Sequence, residues 1–115
     1  MTKFLLHIEG FSVLALSVYF YGHNEFSWLL FAVLLFAPDL SIIGYSAGNR
    51  IGAIIYNIVH TYTLALVIIL IGLLTSSPTV LAIGLIWTAH IGMDRMFGFG
   101  LKYPTQFKDT HFNRL

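Results

Sequence analysis

The sequence predicts an all-α membrane protein, a four-transmembrane-helix up-and-down bundle with its N- and C-termini in the cytoplasm. The 115-residue chain is 57% hydrophobic and 10% charged, with a mean hydropathy of +0.82. This composition is far from that of a soluble domain. Four apolar stretches have about the 20 residues that cross a bilayer as a helix. All six Lys and Arg residues fall on one side of such a bundle, which satisfies the positive-inside rule.

The four predicted spans follow one another through three short connections. They are residues 4–21, 26–45, 51–74 and 80–99. Gly, Asn, Ser and Pro residues break the helices between them, and short connections force neighbouring helices to run antiparallel. The first span has a single Lys and no clear small-x-small cleavage site, so we expect a true span rather than a signal peptide.

The basic residues predict the orientation and the partners. With the N-terminus in the cytoplasm, that side holds Lys3, Arg50, Arg95, Lys102, Lys108 and Arg114. Residues 1–99 then form the transmembrane domain, and residues 100–115 form a basic, aromatic tail suited to the cytoplasmic interface. Membrane lipids are the expected partners, and a homo-oligomer is left open. A formal net charge of +1 and the lack of a basic patch argue against nucleic acid.

Polar residues of the spans converge on the cytoplasmic half of the predicted bundle. A rise of ~1.5 Å per residue places four ionisable residues about 8 to 14 Å inside that boundary, namely Glu9, Asp39, His60 and His90. A charge inside the bilayer costs roughly 2.5 to 3.5 kcal/mol, so such groups must face one another, water or an ion. His90 and Asp94 have i,i+4 spacing and share a helix face.

These side chains predict a metal site. Because the chain has no Cys, a metal must be held by His, Asp or Glu. The predicted ligands are His60, His90, Asp94, Asp39 and Glu9. Imidazole and carboxylate ligands suit a divalent Zn, Mn or Fe ion. Haem ranks below such an ion, because the estimated depths of His60 and His90 differ by about 6 Å.

Some of these residues also have predicted catalytic roles. In a hydrolytic mechanism Glu9 or Asp39 accepts a proton from metal-bound water, and Arg95 holds an anionic headgroup. Asn57 and Tyr56 precede His60 by three and four residues, so they are predicted to support it from the same helix face. A purely structural alternative stays open, in which these groups only close hydrogen bonds between helices.

Four motifs carry a resemblance to a known family. They are "HIEG" at 7–10, "PDLS" at 38–41, "YNIVH" at 56–60 and "HIGMDRMFGFGLKYPTQFKDTH" at 90–111. On these motifs the chain resembles domain of unknown function 4260, a family of small bacterial integral membrane proteins. The resemblance covers essentially the whole chain and implies a multi-pass protein of the bacterial cytoplasmic membrane. It implies no activity and assigns no catalytic residue.

Three functions are compatible with the sequence. The first is a membrane-embedded metalloprotein, a hydrolase or oxidoreductase acting on a lipid or other apolar substrate at the cytoplasmic leaflet. The second is a proton-coupled small transporter that uses Glu9 and Asp39. The third is an accessory membrane subunit whose polar cluster only fixes the register of the helices.

Overall fold

The computed structural model describes residues 2–101, 110 and 111, and its regular elements are helices. In chain order they are α1 (Thr2–His23), α2 (Trp28–Leu34), the 3₁₀ helix η1 (Ala37–Ala47), α3 (Asn49–Val59), α4 (Tyr62–Leu74) and α5 (Pro78–Phe97). The predicted all-α class is confirmed. The predicted tail lies largely outside the described residues, and the cytoplasmic placement of the termini stays a prediction.

Three stretches are long and apolar enough to cross a membrane: Thr2–His23, Trp28–Ala47 and Pro78–Phe97. A fourth span results if α3 and α4, which meet at a bend of 41°, are counted as one. The number of candidate spans is therefore three or four. The expectation of a continuous third helix is wrong, because the backbone of Thr61 is extended, with ψ of 141°, and separates the two halves.

Helix α5 lies at the centre of the packing, between α1 and α4. Its apolar window is 61% buried, against 17% for α1. Glycines allow the close approach: a Cβ on Gly92 would lie 2.8 Å from the Gly10 carbonyl oxygen on α1, and a Cβ on Gly84 would lie 2.8 Å from the Ile69 nitrogen on α4. Small residues at such crossings are typical of helix packing in membranes.

Local sequence explains where α5 begins and ends. The Ser77 hydroxyl accepts a hydrogen bond from the Val80 amide at 3.3 Å, and Pro78 occupies the first turn. Both are favoured at a helix N-terminus. Gly98, with φ of +92°, ends the helix in the left-handed conformation that Gly adopts without a steric penalty.

The second and third spans are both interrupted. In the second, α2 gives way to η1 near Pro38, and the Asp39 amide donates to the Phe36 carbonyl at 3.1 Å in a 3₁₀ turn. In the third, the interruption follows His60. Helices η1 and α3 pack against each other across the turn at Gly48, where φ is +113°. Irregular backbone at membrane depth is tolerated where protein or a polar cavity surrounds it, and these two breaks bound the site described next.

Candidate metal centre

Four polar side chains from three separate elements meet inside the protein. Asp39 comes from the first turn of η1, His60 caps the C-terminus of α3, and His90 and Asp94 lie one turn apart on α5. One potential ligand atom of each lies within 4.8 Å of the others, and these four residues are called the His/Asp centre. The two His and Asp94 are buried, whereas the Asp39 side chain is 41% exposed. The centre therefore has one open side, at Asp39.

Five of the six distances between the four ligand atoms lie between 3.2 and 3.6 Å, and the sixth, from Asp39 to Asp94, is at most 4.8 Å. The Nε2 atoms of His60 and His90 are 3.3 Å apart, and Asp39 Oδ1 is 3.3 Å from each. Asp94 Oδ2 is 3.2 Å from His90 Nε2 and 3.6 Å from His60 Nε2. Ligands that stand about 2.0 to 2.2 Å from a tetrahedral ion are roughly 3.3 to 3.6 Å from one another. The arrangement could hold a small tetrahedral cation.

Hydrogen bonding orients the His60 ring toward the centre. Its Nδ1–H donates to the Tyr56 carbonyl at 2.9 Å, which leaves a lone pair on Nε2. The Tyr56 ring stacks on the same imidazole with centroids 3.8 Å apart and planes 8° from parallel. A metal-bound His usually donates its second ring N–H in this way. Tyr56 thus supports His60, as predicted from their spacing, but through its carbonyl and ring face.

Two atoms of the centre lack a conventional partner. Asp94 Oδ2 and His90 Nδ1 are both buried, and neither atom has a partner that meets hydrogen-bond geometry among the described residues. The Leu35 carbonyl approaches the His90 ring without reaching hydrogen-bond geometry. A buried polar atom without a partner is costly and rare. These two atoms are therefore the features of the centre that call for a further group.

Side chains of α5 satisfy the end of α3 at the break. Arg95 Nη2 donates to the His60 carbonyl at 3.1 Å, and Trp87 Nε1 donates to the Val59 carbonyl at 3.0 Å. The last carbonyls of a helix have no partner within it, so these two bonds make the interruption tolerable. They also fix the backbone of His60. The bond from Trp87 joins residues 28 positions apart in sequence, so helical spacing alone could not predict it.

Arg95 is more deeply placed than its predicted role requires. It is 8% exposed, Nη1 donates to the Phe99 carbonyl at 2.8 Å, and the guanidinium lies 5.9 Å from the centroid of the Tyr62 ring. Two of its nitrogens therefore already bind backbone carbonyls. These contacts connect the end of α3 with the end of α5, and its role in headgroup binding stays a prediction.

The structure does not bring Glu9 into the centre. Glu9 is exposed on α1 and lines a separate cavity beside Arg95. Helical rise predicts a depth for Glu9 but no direction around the helix axis, so it could not show that Glu9 faces away from the centre. Asn57 is half-buried on α3. The structure thus gathers four of the five predicted ligands.

The geometry of the centre excludes a bis-His haem, and the described tail residue His111 lies outside the centre. Two axial ligands of a haem lie on opposite faces of the porphyrin, and Nε2 atoms 3.3 Å apart leave no room for a ring between them. His111 lies elsewhere, where its Nδ1 accepts a hydrogen bond from the Leu101 amide at 2.7 Å. Asp109, considered with His111 as an extra ligand, lies outside the described residues.

Comparison with known proteins identifies the family. The family described as Domain of unknown function (DUF4260) matches residues 3–115, and the chain belongs to it. The resemblance predicted from the sequence motifs is therefore confirmed. No curated protein and no solved structure matches the chain.

Proposed function

We propose that this member of the DUF4260 family is a membrane-embedded metalloprotein that holds one divalent transition-metal ion in the His/Asp centre. The observation that carries the proposal is the spacing of the four ligand atoms, 3.2 to 3.6 Å along five edges. That spacing suits an ion about 2.0 to 2.2 Å from each atom. The ligands come from three elements, so an ion also links η1, α3 and α5.

The charges of the centre support a cation. His60 presents a lone pair, and Asp94 Oδ2 lies within 3.6 Å of the Nε2 atoms of both His residues. Two carboxylates and two imidazoles in one buried place repel one another unless protons or a cation lie between them. A divalent ion neutralises both carboxylates at once. With Nε2 of His90 as a ligand, the ring proton of His90 would be on Nδ1.

Zn²⁺ fits the centre best among Zn, Mn and Fe. Two nitrogens and two oxygens are ligands that all three accept. Tetrahedral coordination by four protein atoms is the usual geometry of Zn²⁺, whereas Mn²⁺ favours six oxygen-rich ligands. Since Zn²⁺ has no redox chemistry, it favours the hydrolase interpretation over the oxidoreductase one.

The exposure of Asp39 supports a catalytic use of the ion. A catalytic zinc keeps three protein ligands and one exchangeable position. Asp39 is the exposed ligand, so water can displace it while His60, His90 and Asp94 stay bound. Displaced but nearby, the Asp39 carboxylate is placed to accept a proton from that water. The proposed reaction is hydrolysis of a lipid or another apolar substrate at the cytoplasmic leaflet.

Metal analysis of the purified protein tests the binding step. We expect one ion per chain in the wild type, and a four-coordinate visible spectrum after Co²⁺ substitution. Asp94→Asn should lose the ion, because it removes the most deeply buried anionic ligand. Glu9→Gln, a carboxylate on the same level but outside the centre, should keep it. A folded wild type that takes up neither Zn²⁺ nor Co²⁺ would contradict the proposal.

Turnover by the Asp39 variant tests the catalytic step separately. Metal-loaded wild type and Asp39→Asn are incubated with mixed bacterial phospholipid vesicles, and lipid products are followed by mass spectrometry. We expect Asp39→Asn to retain an ion on its other three ligands while losing product formation. Equal activity in the two proteins would exclude Asp39 as the proton acceptor, and it would leave the proposal of a metal site unchanged.

A further inference from the structure

A second site is present in a cavity that the His/Asp centre does not use. This cavity, of about 570 Å³, lies between the first half of α1, the start of α4 and the end of α5. Its volume falls within the roughly 300 to 1,000 Å³ of small-molecule sites in proteins. Most of its wall is apolar, with Leu6, Val13 and Leu101 among the lining residues. Such a wall suits a hydrocarbon chain.

Polar groups are concentrated where α4 begins. Tyr62, Arg95 and Glu9 all line the cavity. The Tyr62 hydroxyl is buried and has no hydrogen-bond partner among the described residues. Arg95 carries five N–H donors, of which two bind the carbonyls of Phe99 and His60. This part of the cavity therefore offers spare donors from Tyr62 and Arg95 and an acceptor from Glu9.

The charges of this polar part cancel. The Glu9 carboxylate and the Arg95 guanidinium are both near enough to Tyr62 to act electrostatically on its phenol. His111 also lines the cavity. Burial, followed by the nearby Arg95 charge, lowers the pKa of His111 below 6.5, so its imidazole is neutral at pH 7. A charged ligand would meet one attractive and one repulsive group, whereas a neutral one meets donors and an acceptor.

We propose that the cavity binds a single-chain amphiphile whose uncharged head group both donates and accepts hydrogen bonds, such as a primary fatty amide. The amide oxygen accepts from Tyr62 and Arg95, its N–H donates to Glu9, and the chain lies along the apolar wall. The inference goes beyond the metal site. Thr61 and Tyr62 follow His60 in sequence and Arg95 follows Asp94, so the cavity lies behind the wall that carries those ligands.

Three probes of equal chain length test the head-group preference. Dodecanamide, dodecanoate and dodecylamine are titrated at pH 7 into the full-length protein in lipid nanodiscs, with displacement of a fluorescent alkyl probe as the signal. We expect one saturable site per chain that prefers the amide by about tenfold or more, since uncompensated unit charges interact strongly away from water. Equal binding of the three probes, or no saturable binding, would overturn the proposal.

Removing one charge from the cavity distinguishes binding at this site from nonspecific, detergent-like adsorption. Glu9→Gln leaves the Arg95 charge without its counterpart, so the preference should move to dodecanoate. Glu25→Gln removes an exposed carboxylate after the far end of α1, and it should leave the amide preference unchanged. Val13→Trp fills the cavity and should abolish binding of all three probes. Metal content is measured on each sample, so that loss of the proposed ion is distinguished from loss of the amphiphile. An unchanged preference in Glu9→Gln would overturn the proposed charge balance.

Discussion

The two halves of α5 are both buried, but they are buried by different means. The first half packs Ala82, Leu85 and Ile86 against the Tyr21 ring, with Phe26, Phe31 and other apolar side chains around them. The second half places His90, Asp94 and Arg95 in the interior. In the first half, burial needs only shape complementarity. In the second, it needs partners for every polar atom, and two atoms lack them among the described residues.

The first half of α5 is an apolar core, whereas the second half carries the residues of the proposed metal site. The ring of Tyr21 contacts those of Phe26, Trp28 and Phe31 with centroids 5.0 to 5.4 Å apart, and its hydroxyl donates to the Ser27 carbonyl. At that end of α5, the apolar rings are packed and the Tyr21 hydroxyl has a hydrogen-bond partner. Under the proposed function, a bound cation would supply Asp94 Oδ2 with a partner, so the stability of the His/Asp end should depend on the ion. The following predictions test this contrast, from the largest expected effect to the smallest.

Removing a ligand from the polar half should have the largest effect. His90→Ala should lower metal affinity by more than the ~100-fold that marks the upper range for changes to groups supporting a ligand. Competition with a metal-binding dye measures the affinity. His23→Ala, at an exposed imidazole at the end of α1, is the matched control and should bind normally. A comparable loss of metal affinity in His90→Ala and His23→Ala would show that His90 is not a specific ligand of the ion.

Removing bulk from the apolar half should destabilise the protein without regard to metal. Ile86 is fully buried, so Ile86→Ala leaves a cavity and should cost about 2 to 5 kcal/mol. Thermal unfolding in detergent, with added Zn²⁺ and with chelator, should show the same decrease in both conditions. Chelation should then destabilise the wild type and Ile86→Ala by equal amounts. A decrease that appears only with metal would show that the two halves are not independent.

Removing the hydrogen bond between α5 and the end of α3 should have an intermediate effect on metal affinity. Trp87→Phe removes the donor to the Val59 carbonyl, next to His60, so metal affinity should fall about tenfold. Trp28→Phe changes an indole that is 51% exposed on α2, and affinity should stay the same. The dye competition used for His90 reports both. If Trp87→Phe binds metal with wild-type affinity, the hydrogen bond from Trp87 does not support the metal site.

The smallest effect is expected at the edge of the polar half, at His111. Because burial lowers the pKa of His111 in the folded protein, the neutral form is favoured there. Its stabilisation is fully present above the unfolded value of ~6.5 and is lost as the pH falls through the folded pKa. On acidification the Leu101 amide, which donates to His111 Nδ1, should therefore lose protection against hydrogen exchange, measured relative to its intrinsic rate at each pH. His111→Asn should remove that pH dependence, and an unchanged profile would disprove it.

Much of the architecture was predictable because membrane insertion depends on composition. Apolar length predicted the spans, and the interruption of the second falls at Pro38, whose ring removes a backbone donor. The level of the polar groups followed from helical rise, which is why His60, His90, Asp39 and Asp94 were all proposed as ligands. The pairing of His90 with Asp94 could be predicted from i,i+4 spacing on one helix alone.

The sequence by itself determined a helical chain with stretches long and apolar enough to cross a membrane, and it predicted ionisable groups at a common depth, since lipid permits few other solutions for such a chain. Only the tertiary structure decided which of those groups meet. The rotation of each helix about its axis depends on packing contacts such as Gly10 against Gly92, and these are not local. That rotation separates Glu9 from the His/Asp centre, and the break after His60, whose carbonyls are satisfied by α5, turns its imidazole toward Asp39.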